Sequence, residues 1–274
     1  MKLKIWNPES SWEEAEAEWE QGAAEAKKRS PVKELKKLPK MQGITKGAAR
    51  FLKAKAARYM LLHDSEGKIR NGFWKHPLKY GPRLFFSLLK RRPYRRDGDF
   101  FLYGVKSAEA FAEQLEDKEA LFVVGFSYCH KPFECPSGRF SDRCIHDPGH
   151  PVCRQCFIGK AMHALPEERT EALVIPTIHY IGEKIFEIVH ANPGKKVLFL
   201  ITACEMTLEM FGDWGNMVGI QGIGVRLDGR ICNTMEAFEL SEKGVKPGMT
   251  VVLDETKERI LNLIRRHRGS DKPS

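Results

Sequence analysis

The sequence has no long hydrophobic run. Its longest uninterrupted apolar stretches, such as VLFLI at 197–201, fall far short of the roughly 20 residues that a membrane-crossing helix needs, so no span is expected. No export signal is expected either. The first twenty residues, MKLKIWNPESSWEEAEAEWE, turn acidic where a secretory leader carries its apolar segment, which makes the cytoplasm the expected compartment. There is no helix-turn-helix or RNP motif, and the glycines of GIQGIG form no dinucleotide fingerprint because no helix opens directly after them. An even cysteine count is missing as well: there are seven. In a reducing compartment, closely spaced cysteines point to metal or redox chemistry before a disulfide scaffold. What remains is 274 residues at 42% hydrophobic content, enough to bury a real core and too apolar for disorder throughout.

Charge is unevenly spread. Residues 1–100 hold 24 Lys and Arg against 12 Asp and Glu, a net of +12, while the other 174 hold 21 against 24, a net of −3. The two sum to the chain's +9. This asymmetry places a boundary near residue 98 and divides the chain into a basic, aromatic-rich helical extension (1–98) and a cysteine-rich domain (99–274).

In the basic third, residues 9–29 read as a helix. Ser10 or Ser11 caps it, acidic residues sit in its first turns, and Lys27, Lys28 and Arg29 close it. The basic loop VKELKKLPK follows, and apolar spacing predicts a second, cationic helix from Thr45 to His63, with Phe51 on its buried face. The segment 71–104 then interleaves Phe73, Trp74, Tyr80, Phe85, Phe86, Tyr94, Phe100 and Phe101 with Lys and Arg clusters. Three readings fit this pattern. It can be a helical subdomain that buries its rings against the second domain. It can be a surface, spanning 41–96, that docks on an anionic membrane or a protein partner. It can bind nucleic acid, the reading with the least motif support.

From about residue 104, strand and helix patterns alternate: ALFVVGFSY, ALVIPTIH, KKVLFLITA, NMVGIQGIGVRL and MTVVLD as strands, with helical periodicity between them. Such alternation predicts an α/β fold, a mostly parallel sheet flanked by helices, interrupted by a long cysteine-rich loop. That loop carries Cys129-x5-Cys135-x8-Cys144-x8-Cys153-x2-Cys156. The x2 pair forms a tight turn that lets both sulfurs reach one metal centre, and Cys135-Pro136 has the form of cluster-binding cysteines in ferredoxins. Cys129 and Cys204 each follow a strand's carboxyl end, and Cys232 follows the fourth strand after a turn at Asp228-Gly229. In an open parallel sheet those ends share one edge, where ligands bind.

Thiolates select zinc or iron–sulfur clusters over calcium or magnesium. Seven exceed one zinc site, so the economical division is Cys135, Cys144, Cys153 and Cys156 for one 4Fe-4S cluster and Cys129, Cys204 and Cys232 for a second with an open iron. Either one or two clusters fit the count, Cys129 can instead belong with its sequence neighbours in the loop, and the electron partner is not legible. The alternative is a zinc-stabilised, non-enzymatic binding module whose basic third binds nucleic acid or an anionic membrane. His146 and His150, in IHDPGHP, are expected to face solvent; His163, His179 and His190 are expected at core edges. Asp213 and Asp228 are expected as solvated loop acids, and the GIQGIG glycines as a place where backbone approaches a ligand.

Residues from about Leu121 to the C-terminus resemble an uncharacterised family catalogued as domain of unknown function 116. The resemblance rests on CRQCFIG at 153–159, the strand into Ala203-Cys204-Glu205, the glycine-rich GIQGIGV, and Cys232-Asn233-Thr234. It implies a cysteine-rich α/β domain suspected of binding iron–sulfur or another metal, with no settled reaction, and it does not reach the basic third.

Overall fold

The computed structural model describes residues 11–35, 43–90, 92–246 and 248–269. The second half of the basic loop (36–40), positions 41, 42 and 91 of the expected docking segment, Ser10 as a helix cap, and the tail from 270 lie outside the described residues.

Helix α1 (Trp12–Arg29) starts in a capping box: Glu14 N donates to the Ser11 hydroxyl at 3.2 Å and Ser11 N to the Glu14 carboxylate at 2.9 Å. The expected single helix from 45 to 63 is two, α2 (Lys46–Ala49) and α3 (Leu52–Leu62), broken at Phe51, which takes φ 56° and is exposed instead of buried. The break reconciles two anchors: Thr45 N is held by Asn233 O at 2.9 Å, while Leu52, Ala56 and Met60 pack in the core. Helices α4 (Lys68–Lys75) and α5 (Pro77–Leu89) complete the helical part of the basic third.

The charge boundary near residue 98 is not a break in the structure. Strands β1 (Arg95–Asp97) and β2 (Phe100–Tyr103) form a hairpin across it, and β2 pairs antiparallel with β6 (Gln221–Arg226). With β3 (Leu121–Ser127), β4 (Thr170–Ile175) and β5 (Val197–Ala203), they make a six-stranded sheet of order β1-β2-β6-β5-β3-β4, in which β3 to β6 are mutually parallel. The fold is therefore α/β, mostly parallel, with two antiparallel strands at one edge. Asp228-Gly229, expected as a turn, is β7, and the predicted last strand shrinks to β8 (Thr250–Val251), which pairs with β7 in a separate two-stranded ribbon.

Both faces of the sheet are covered. α6 (Ala108–Leu115), α8 (Phe157–Ala164) and α12 (Asp254–Gly269) bury Phe122, Val124, Leu200 and Val225 on one side. α3 to α5, α9 (Ile178–Ala191), α10 (Glu205–Val218) and α11 (Met235–Glu242) bury Val123, Phe199, Ile201 and Tyr103 on the other. The alternation of Phe100 and Leu102 with Phe101 and Tyr103 between the two cores is the period of a strand buried on both faces. Aromatics of the basic third thus divide: Tyr59, Tyr80, Tyr94, Phe100 and Phe101 are core, while Trp74, Phe85 and Phe86 are exposed.

The GIQGIG glycines serve packing, not ligand approach. A Cβ on Gly224 would stand 2.6 Å from Leu208 Cδ2 and 3.0 Å from the Tyr103 ring, so only glycine lets α10 and β2 close on β6 here.

Candidate thiol sites at the carboxyl edge

The strand order gives the sheet one topological switch point. The chain runs from β3 to β4 on one side, returns over β3 to β5, and continues outward to β6. The crevice beyond the carboxyl ends of β3 and β5 is where open α/β sheets bind ligands. Cys129 follows β3 in a 3-10 turn (Tyr128–His130), and Cys204 caps α10 immediately after β5. The two line one small cavity with Ser127, Thr207 and Glu242.

Cys232 reaches this pair from the loop after β7. Cys204 and Cys232 are close enough to shift each other's thiol, the Lys246 ammonium lies 3.3 Å from Cys232 Sγ, and Thr207 Oγ1 lies 3.2 Å from Cys204 Sγ. Their interaction lowers Cys232 and raises Cys204, with Lys246 favouring the thiolate. Burial pushes the Cys129 thiol up, and Cys129 feels both Lys246 and Cys232. Glu242, whose carboxylate accepts from Ile178 N at 2.8 Å, is pushed up to about 8 by burial and so holds a proton at neutral pH.

The other four thiols form a second group. Cys135, Cys144, Cys153 and Cys156 line one cavity in the long loop, together with Lys131 and Gly159. Cys153 lies in the short helix α7 (Pro151–Gln155), and Cys156 joins it to α8. A Cβ on Gly159 would fall 2.4 Å from Cys153 O, so the glycine of CRQCFIG lets α8 fold back on α7. Burial raises Cys144, and pushes Cys153 up to about 11 and Cys156 up to about 12, although backbone N–H groups of His146, Asp147, Ile158 and Gly159 point at these sulfurs and favour the thiolates.

The loop is built around a buried lysine. Lys131 Nζ donates to the carbonyls of Gly138 (3.0 Å), Ser141 (3.2 Å) and Arg143 (2.7 Å) and to the Ser141 hydroxyl (2.8 Å). Arg139 ties the loop to the other group, donating to Cys129 O at 3.2 Å and Lys246 O at 2.8 Å. Neither cation has a spacing signature in the sequence, because a long side chain that satisfies loop carbonyls is recognisable only once the loop has closed.

Some expected roles change. His146 is buried, its ring 3.9 Å from that of His163, and His150 caps α7 by accepting from Val152 N at 3.2 Å. His163 is buried against Trp19, while His179 Nε2 lies 3.2 Å from Met60 O and His190 Nε2 3.3 Å from Tyr80 Oη. Asp213 and Asp228 are not solvated loop acids: Asp213 is a buried residue of α10 held by Ser87 (2.6 Å) and Lys53 (3.3 Å), and Asp228 is buried 3.3 Å from Arg226. Among the described residues, no three His, Cys, Asp or Glu side chains gather closely enough to hold a single metal ion.

Burial also sets an acid limit. It lowers His130 to about 3, His163 to about 3, and His146 below its ordinary value. An unfolded histidine takes up its proton near 6.5, whereas His130 and His163 wait until far lower pH and His146 until lower pH. The unfolded state therefore binds more protons as pH falls from 6.5 towards 3, and each such histidine removes up to about 1.4 kcal/mol of stability per pH unit. Urea midpoints measured from pH 7 to pH 4 should fall steadily, and more gently in His130→Phe; a flat profile contradicts the neutral buried histidines.

Comparison with family models, with curated proteins and with solved structures finds no match, so the resemblance of the region after Leu121 to domain of unknown function 116 rests on its quoted motifs alone.

Proposed function

We propose that the chain is an iron–sulfur protein, with Cys135, Cys144, Cys153 and Cys156 holding one 4Fe-4S cluster and Cys129, Cys204 and Cys232 holding a second. The observation that carries this reading is the sorting of seven thiols into a group of four and a group of three, the latter at the switch point of the sheet. The backbone N–H groups aimed at Cys144, Cys153 and Cys156, and the Lys246 ammonium beside Cys232, would offset the negative charge of thiolate-bound clusters. The buried thiols release protons when the metal arrives.

A cluster held by Cys129, Cys204 and Cys232 would supply Lewis-acid or electron-transfer chemistry at this sheet edge. Glu242, pushed up to about 8 by burial, lines the same cavity as Cys129 and Cys204. This chain's residues would thus supply an acid and a buried crevice, an arrangement suited to a cluster-dependent oxidoreductase. One observation favours a second reading: Cys204 and Cys232, which shift each other's thiol, with the Lys246 ammonium 3.3 Å from Cys232 Sγ, have the chemistry of a redox-active dithiol.

Anaerobic purification or reconstitution, followed by iron, zinc and acid-labile sulfide analysis, tests the proposal. Brown protein with iron and sulfide in equal amounts supports clusters. Colourless protein with stoichiometric zinc overturns them. Metal-free protein that reversibly closes a Cys204–Cys232 disulfide overturns them in favour of the dithiol.

A further inference from the structure

A cavity remote from the thiols holds about 340 Å³ between α3, α4, α5, α9 and α10, within the range of small-molecule sites, about 300–1,000 Å³. Its lining is aliphatic and aromatic, with Met60, Ile69, Phe73, Leu84, Met210 and Met217 among the walls. The charges that reach it are already paired. Lys53 meets Asp213 at 3.3 Å and caps α5 through the carbonyls of Ser87, Leu88 and Lys90, and Arg70 meets Asp64 at 3.3 Å. One polar atom in the wall is unmatched: the buried indole N–H of Trp214 has no acceptor among the described residues.

Leu61, Trp74 and Leu88 line this cavity and are also exposed, so the cavity opens to the surface. That surface is unusual. Nine of the fourteen exposed large apolar side chains among the described residues lie between 51 and 89, including Leu78 at 92% exposure, Phe85 and Phe86. Residues 43–90 carry 11 Lys and Arg against 2 Asp and Glu.

We propose that this cavity takes up one hydrocarbon chain of an anionic phospholipid from a membrane surface on which the cationic, apolar face of α3–α5 docks. Lysine is depleted at protein interfaces, yet seven of the 11 cations are lysines, which favours lipid over a protein partner. Nucleic acid would use the cations but not a deep aliphatic cavity, since bases stack on rings. A slender chain fills such a space without setting a polar group against its aliphatic walls. One inserted chain together with a cationic patch makes the two signals that stable membrane attachment requires. The inference stands apart from the thiol sites.

The test uses the full chain with vesicles of phosphatidylcholine alone or mixed equally with phosphatidylglycerol, the latter also with brominated acyl chains. The protein should sediment with the anionic vesicles and not the neutral ones. Leu78→Ser/Phe85→Ser/Phe86→Ser, confined to exposed positions, should cut the bound fraction about tenfold or more. In a Trp74→Phe background, brominated chains should quench the remaining emission. Adding Ala57→Phe at the exposed mouth should reduce that quenching several-fold while sedimentation persists. Unchanged circular dichroism certifies each variant's fold. Failure to sediment at low salt overturns the proposal, as does patch-dependent binding of RNA or self-association without vesicle binding. Sedimentation with quenching indifferent to Ala57→Phe overturns chain uptake.

Discussion

Arg226→Met should lower folding stability at neutral pH by roughly 3–5 kcal/mol, the usual cost of removing one partner from a buried ionic group. Arg226 closes β6, and its guanidinium lies 2.9 Å from Asp99, 3.3 Å from Asp228 and 3.6 Å from Glu205, all buried or nearly so. It is the common cation of carboxylates brought from the β1–β2 hairpin, the start of α10 and the β7–β8 ribbon. Methionine fills much of the volume but leaves those carboxylates facing one another, with Arg96 reaching only Glu205 at 3.1 Å.

The sign of the pH dependence is specific. Even with Arg226 present, burial holds the Asp228 carboxyl above its ordinary value. Without the cation, the folded variant keeps a proton on Asp228 at higher pH than the unfolded chain does, so it gains stability relative to wild type as pH falls. The gap between the two denaturation midpoints should therefore narrow from pH 7 to pH 5, although the buried histidines destabilise both proteins over that window. A constant gap would mean that Arg226 acts through packing alone.

The second large effect concerns the thiols. Cys153→Ser/Cys156→Ser removes two of the four sulfurs around the loop cavity and should abolish loading there while sparing the group at the sheet edge. In reconstituted protein, iron should fall to about half and not to zero, because a cluster on four thiolates cannot form on two. Cys204→Ser/Cys232→Ser should remove the other half. Complete loss from either double variant would mean one shared site, and the Arg139 bridge between the loop and Cys129 would then be part of it.

Several elements are legible in the residues themselves. The alternation after residue 104 predicts a mostly parallel sheet, and the sheet has four parallel strands, β6-β5-β3-β4, running from its middle to the β4 edge. The β1–β2 hairpin is hidden by its own brevity and charge, although Gly98-Asp99 between two strands is a recognised two-residue turn and Gly98 has φ 56°. The kink at Phe51 is invisible to periodicity, because a helical pattern runs straight through it and only the separate anchors of Thr45 and Leu52 break it. The acidic stripe of α1 reads as a complement to the helix dipole. In the structure Glu16 instead binds Arg265 at 2.7 Å and Arg268 at 2.9 Å on α12, and Glu20 binds Lys160 on α8.

Residue pattern alone sets the α/β class, the absence of a helix long and apolar enough to cross a membrane among the described residues, and the close spacing of five thiols between Cys129 and Cys156, since these depend on local period, run length and residue type. Only the tertiary structure decided which cysteines share a cavity, which carboxylates are buried and which aromatics stay on the surface. Those outcomes depend on strand order: returning over β3 to place β5 beside it brings Cys204 to Cys129 across 75 residues of sequence. Covering one face of that sheet with α3–α5 leaves their outer residues, and the cavity beneath them, turned to solvent.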